Sequence, residues 1–317
     1  MTRVAILDDY QNAALAAADW NRLGGCEIEV FDTHIADPAV VRETLQPFDV
    51  IVAMRERTPF PKSLINSLPN LKFLITTGMR NLAIDMDAAR DAGIVVSGTE
   101  MLAYPAFEHA WALILALAKQ IPREDRVMKS GGWQQGYGVG LSGKTLGVLG
   151  LGKLGAQLAR VGLAFNMNVI AWSQNLSDER AAEVGVQKVS KSELFEQSDF
   201  LSIHMVLSDR SRGLVGKAEM AAMKKSAVLV NTSRGPIVDE AALVDALSTN
   251  EIGGAGLDVY DVEPLPKDHA LRKLENVVLT GHTGFVVREL HELVYGQAVE
   301  NIEAWQSGTP VRVLNAN

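Results

Sequence analysis

The sequence predicts an α/β protein built from two parallel-sheet units. Short β-branched runs alternate with helical patterns along nearly the whole chain. Most of those runs are apolar at both alternating sets of positions, as strands are when helices cover both sheet faces. At 317 residues, with 47% apolar and 21% charged residues, the chain is long for one core and globular in composition.

The first series of strands is predicted at Val4 to Leu7, Val50 to Ala53, Phe73 to Thr76 and Ile94 to Val96. Between them AVVRETLQ and NLAIDMDAARDAG read as helices, the second ending on a glycine suited to a C-terminal cap. The pattern changes near residue 101. Pro105 suits a first helical turn, and a long helix is predicted through Lys119, with continuation past a kink at Pro122. The glycines of SGGWQQGYGVGLSG make Ser130 to Gly143 a loop. From Lys144 a second series follows: KTLGVLG, NVIAW, DFLSIHM, SAVLVNT, GAGLDV and NVVLT. An amphipathic segment, Val286 to Trp305, precedes SGTPVRVLNAN, a tail able to return to the first unit.

Composition excludes several classes. A net charge of −8 without a basic run argues against nucleic-acid binding. One cysteine, Cys26, allows neither an intrachain disulfide nor a cysteine metal cluster, and its setting in CEIEVF suggests a buried structural thiol. MTRVAILDDY lacks the features of a secretory signal. The run AFEHAWALILALA carries Glu108 and His109 and is too short to span a bilayer. A cytoplasmic protein acting on small molecules, away from membranes, is the expectation.

Gly150, Gly152 and Gly155 form GxGxxG directly after a predicted strand and at the opening of a helix. The first glycine permits the tight turn. The second lets the backbone approach a pyrophosphate at the positive helix terminus, which Lys153 and Leu154 open. The third permits close helix–sheet packing. The arrangement points to NAD or NADP. The next strand ends in Ser173, where an acid would read the ribose hydroxyls of NAD and repel the 2′-phosphate of NADP. Its absence tilts the reading slightly toward NADP. No basic residue follows at once, with Arg160 and Arg180 the nearest in sequence.

Ligands of such sheets meet the carboxyl ends of the strands. There the sequence places His204, Thr232, Arg234, Asp258, Glu263 and His282. Carbonyl reduction by hydride needs an acid near the oxygen, and imidazole titrates in the useful range. Glu263 is the candidate partner that fixes the tautomer of His282. Arg234 can hold a substrate carboxylate with two hydrogen bonds and polarise the adjacent carbonyl. His204 and Thr232 are assigned to the cofactor side, and Asp258 to the cofactor side or to a structural role rather than proton donation. No compact ligand cluster suggests a metal.

In order and spacing, TLGVLGLGKLG, DFLSIHMVLSDRSRGLVG, MKKSAVLVNTSRGPIVDEAALVDAL, GLDVYDVEPL and NVVLTGHTG resemble the D-isomer-specific 2-hydroxyacid dehydrogenase family over nearly the whole chain. The resemblance is to the branch containing phosphoglycerate dehydrogenase-like and hydroxypyruvate or glyoxylate reductase-like enzymes. It implies a flavodoxin-like substrate domain, residues 1–101 and 288–317, with the Rossmann-like dinucleotide domain of residues 102–287 inserted. It implies a homodimer aided by the long helix after Tyr104, and closure of the first domain on ligand. Arg234, Glu263 and His282 would be the catalytic set, acting on a small 2-oxo or D-2-hydroxy acid. Thr77 and Gly78 would contact the substrate carboxylate through the backbone, with Arg55, Arg57 and Arg80 as charged candidates nearby. The chain departs from the family at Gly281 and Val206, where prolines are common. AMRERTPF and LITTGMRN also differ from the substrate loops of its best-known members. The competing expectation is a non-catalytic dinucleotide-sensing regulator or scaffold on the same fold.

Overall fold

The computed structural model describes residues 1–316 and divides the chain into two compact units. One joins Met1–Leu102 to the chain from Val286 onward, and the other is Ala103–Phe285.

The first unit holds β1 (Thr2–Ile6), β2 (Cys26–Val30), β3 (Val50–Ala53), β4 (Phe73–Thr76) and β5 (Val95–Gly98), all paired in parallel in the order β2-β1-β3-β4-β5. This is the strand order of flavodoxin-like sheets. β3 and β4 are buried at every position, which explains their unbroken apolar sequence. β2 is an edge strand of alternating half-buried and exposed residues, so it lacks that signature. Cys26, expected to be buried, is half-buried there, because an edge strand has one open side.

Asp37 and Asp85 cap the helices Pro38–Leu45 and Met86–Asp91, accepting from Ala39 N and Ala88 N. Gly93 follows the second helix at φ +72°, as a C-terminal cap requires. The helix Arg288–Gln306 completes this unit. Its Trp305 stacks on Phe73 at 5.4 Å and its Tyr295 packs against Trp20. The tail returns to β5, where Gly98 N donates to Arg312 O and Leu314 N to Val96 O.

The second unit holds β6 (Thr145–Leu149), β7 (Asn168–Trp172), β8 (Gln187–Lys188), β9 (Phe200–Ile203), β10 (Val228–Asn231), β11 (Gly254–Leu257) and β12 (Val277–Leu279). Their order is β12-β11-β10-β9-β6-β7-β8, again all parallel. The order reverses between β6 and β9, and ligands of such sheets bind beyond the carboxyl ends of the strands at that point.

The long helix spans Tyr104–Ala118, with Pro105 in its first turn, and packs on β10 and β11. It does not continue through a kink. Gln120 turns left-handed at φ +53°, and a separate helix, Ile121–Lys129, begins with Pro122 in its first turn. Residues 131–144 form neither helix nor strand. Among the described residues no helix is long and apolar enough to cross a membrane.

Candidate active site

The second unit builds its site from the turn after β6. Gly150 takes φ +103°, and a Cβ there would press on the carbonyl of His204. A Cβ on Gly155 would enter the carbonyl of Gly150. A Cβ on Gly152 would meet nothing within 4 Å. The protein itself therefore demands the first and third glycines. The second faces open space at the start of the helix Lys153–Ala164, and this cradle fits a dinucleotide pyrophosphate. Lys153 is exposed and Leu154 half-buried in the first turn.

Ser173 follows β7 and opens a turn closed by Leu176 N donating to Ser173 O at 3.0 Å. His204 follows β9, its N donating to Leu149 O, with its Nε2 2.9 Å from Ser202 Oγ. Desolvation pushes the pKa of His204 down to about 4, so the ring is neutral near pH 7. It forms a wall beside Gly150 and is unsuited to carrying a proton there.

Thr232 lies half-buried in the turn after β10, between residues that bond each other. Ser233 N donates to Asn231 Oδ1, Asn231 Nδ2 to Arg234 O, and Ser233 Oγ to Ile203 O. These bonds set the path of Arg234, whose guanidinium also donates to Ser233 O at 2.7 Å. Gly235 then lies so close to Tyr260 that a Cβ would overlap the Tyr260 carbonyl. The arginine loop is thereby seated on the segment leaving β11.

That segment carries Glu263. Its Oε1 accepts from Tyr260 N at 2.9 Å, and its Oε2 lies 2.6 Å from His282 Nδ1. An ionised carboxylate only accepts, so Nδ1 carries the hydrogen and Nε2 is left to exchange a proton. His282 sits in the left-handed region at φ +54°, uncommon for a non-glycine residue. Its N donates to Asp258 O at 2.7 Å, and its ring meets Phe285 edge-on at 5.7 Å.

Asp258, read from the sequence as a cofactor-side or structural residue, is only 1% exposed and holds the histidine loop. Its Oδ1 accepts from Thr280 Oγ1 at 2.6 Å and Thr283 N at 2.8 Å, and its Oδ2 from Gly284 N at 2.8 Å. Burial alone would raise its pKa. Hydrogen bonds from His109 and Thr280 outweigh that and hold it below the usual carboxylate value. His109, on the long helix, places Nε2 2.8 Å from Thr280 Oγ1 and 3.4 Å from Asp258 Oδ1. Tyr260 ties the same loop by donating to Thr280 O at 2.8 Å. Burial, then the charges of Asp258 and Glu263, push its pKa upward, so it remains a donor.

In the first unit the ends of β3 and β4 bring Arg55, Thr77 and Gly78 together. Arg55 is left-handed at φ +51°, its N donates to Thr77 Oγ1, and its Nη1 donates to Thr77 O at 3.2 Å. Gly78 takes φ +99°, and a Cβ there would strike the Arg55 guanidinium. The amides that the resemblance assigns to a carboxylate are already engaged: Thr77 N donates to Ala53 O and Gly78 N to Thr99 Oγ1. Arg57 donates to Asp8 O and stacks over Tyr10, while Arg80 is exposed.

His109, Thr280 and Tyr260 were not singled out as site residues from the sequence. The visible signal was a polar pair, Glu108 and His109, inside a largely apolar helix, and nothing local names the partner of His109. Among the described residues no group of three or more His, Cys, Asp or Glu could hold a metal ion.

Residues 111–284 match the model of the D-isomer specific 2-hydroxyacid dehydrogenase NAD binding domain. A D-3-phosphoglycerate dehydrogenase from Archaeoglobus fulgidus is 38% identical over 93% of this chain, which spans 56% of that relative's length. A glyoxylate reductase from Aeropyrum pernix is 38% identical over 80% of the chain and 78% of its own length. A phosphoglycerate oxidoreductase structure from Vibrio cholerae superposes with a TM-score of 0.92 at 36% identity, covering 97% of this chain and 100% of that one. With a family model matching more than half of its length, the chain belongs to the D-isomer specific 2-hydroxyacid dehydrogenase family.

Proposed function

We propose that the protein is an NAD(P)-dependent oxidoreductase that interconverts a small 2-oxo acid and the corresponding D-2-hydroxy acid. The observation that carries this reading is the 2.6 Å contact from His282 Nδ1 to a Glu263 carboxylate that Tyr260 N holds in place. Reduced nicotinamide, when bound, supplies the hydride. Arg234 holds the substrate carboxylate, and His282 Nε2 gives its proton to the carbonyl oxygen as charge develops there. Glu263 stabilises the imidazolium before transfer. In the oxidative direction neutral Nε2 takes the hydroxyl proton. A dinucleotide sensor needs no such proton donor, and the named relatives are dehydrogenases and reductases.

Residues 102–287 are the proposed dinucleotide domain, with Gly150, Gly152, Lys153, Leu154, Gly155, Ser173, His204 and Thr232 on the cofactor side. Residues 1–101 and 288–317 are the proposed substrate domain, contributing Arg55, Thr77 and Gly78. We further propose a cytoplasmic homodimer. Ile121, Met128, Trp133 and Tyr137 are exposed on the helix Ile121–Lys129 and the loop after it, and that helix buries no residue. Apolar surface of this kind suits a second copy.

The test follows NADH and NADPH oxidation against glyoxylate, hydroxypyruvate, pyruvate and bulkier 2-oxo acids. Turnover of at least one acid supports the assignment. Dinucleotide binding without turnover across the panel overturns it in favour of a sensor.

A further inference from the structure

We infer that Arg180 and Ser173 form a site for a phosphate on the 2′-oxygen of the adenosine ribose, so that the protein selects NADP(H) over NAD(H). The inference rests on the reading of the second unit as a dinucleotide domain. It adds which dinucleotide, and which residue decides.

Arg180 stands eight residues beyond the strand end at Trp172, too far along for the sequence to place. The fold brings it back. Ser177 caps the helix Asp178–Val184 by accepting from Arg180 N, and the Arg180 side chain then reaches across to the glycine turn. Its Nε donates to Leu151 O at 3.4 Å. Leu151 lies between Gly150 and Gly152. Gly150 N donates to Trp172 O at 2.8 Å, so Leu151 and Ser173 each stand one residue beyond a bonded pair. The Arg180 side chain and the Ser173 strand end are therefore both brought beside the glycine turn. In a dinucleotide fold the residues beyond that strand end meet the ribose 2′ position.

The local charges suit a phosphate there. The turn Ser173–Leu176 has no acid to repel it. Glu183 Oε2 accepts from Arg180 Nη1 at 2.7 Å and competes directly with an anion there. It is exposed and also lies in the field of Arg160, so releasing Arg180 to an anion does not leave it isolated. Asp178 is matched by Lys188 at 3.3 Å, and the Glu179 carboxylate is held at the helix start by its own amide and Ser177. Arginine suits a phosphate because its planar donors engage two oxygens at once while Nε keeps its anchor.

The experiment measures equilibrium binding of NADP⁺, NAD⁺, 2′,5′-ADP and 5′-AMP to the full chain by calorimetry, without turnover. The wild type is expected to favour NADP⁺ over NAD⁺, and 2′,5′-ADP over 5′-AMP, by about 10- to 100-fold, the worth of a charge-assisted hydrogen-bonded contact. Arg180→Gln is expected to remove most of that preference while changing NAD⁺ affinity by less than about threefold. Ser173→Asp, which leaves the arginine anchor in place, is expected to remove it by like-charge repulsion. Preference of the wild type for NAD⁺ overturns the inference and leaves the dehydrogenase reading standing. So does an equal loss of both cofactors in Arg180→Gln, which would make Arg180 a structural tie to Leu151. Binding of neither dinucleotide overturns both readings.

Discussion

The Thr280 hydroxyl donates to Asp258 Oδ1 at 2.6 Å and accepts from His109 Nε2 at 2.8 Å. The directions follow from counting hydrogens. Thr280 has one hydroxyl hydrogen, and the Asp258 carboxylate, held ionised, can only accept it. His109 Nε2 must therefore carry the hydrogen toward Thr280. A helix residue thus steadies the loop that keeps His282 in its left-handed conformation. In His109→Leu, kcat is expected to fall about tenfold, with the cofactor KM nearly unchanged. His109→Gln keeps a donor in the Nε2 position and should recover most of the rate. Equal losses in both variants would show that ring packing, and not the hydrogen bond, is what matters.

His282→Asn removes the exchangeable proton at Nε2. It should lower turnover by roughly 10²-fold or more while dinucleotide affinity stays within experimental scatter. Stopped-flow reduction and equilibrium titration on the same preparation check the two halves separately. Unchanged turnover would remove His282 from the proton-transfer role.

His204 links stability to pH. Its folded pKa is about 4 against an unfolded value near 6.5. Between those values the unfolded chain binds a proton that the native protein refuses, so this residue makes stability fall as pH drops from about 6.5 to about 4. Urea unfolding midpoints measured across that window should fall more steeply for the wild type than for His204→Gln. Parallel slopes would mean that the imidazole is not desolvated as described.

Gly235→Ala places a methyl group against the Tyr260 backbone, which cannot yield as a flexible side chain would. The expected cost is about 1–3 kcal/mol of stability from overpacking. Arg234 moves with its loop, so substrate KM should rise more than cofactor KM. A variant with wild-type melting temperature and kinetics would show that the loop has slack the contact denies.

Much of this fold is legible from local pattern. GxGxxG between a strand and a helix announces the turn at Gly150, because the first and third glycines answer steric demands of the fold and the second leaves the helix start open. The C-terminal cap at Gly93 is likewise short-range. β2 and β8 escaped notice because one alternates at a sheet edge and the other is two residues long. Pro122 carried a real signal, but proline suits both a kink and a fresh first turn, and only Gln120 at φ +53° separates them. The link from His109 to Thr280 spans 171 positions, and the return of Arg180 to Leu151 spans 29. Such partners follow from tertiary packing, which no window of sequence contains. The same holds for Thr77 and Gly78, whose amides already donate to Ala53 and Thr99.

The first unit is assembled from segments that a ribosome delivers far apart in time. Trp305 stacks on Phe73, Tyr295 meets Trp20, and Leu314 bonds to Val96. Until these arrive, the nascent sheet β2-β1-β3-β4-β5 lacks part of its cover, while Ala103–Phe285 has emerged as one uninterrupted stretch able to close its own core. The order of completion therefore runs against the order of beginning: the unit that begins first finishes last, and its apolar sheet face stays partly open until then.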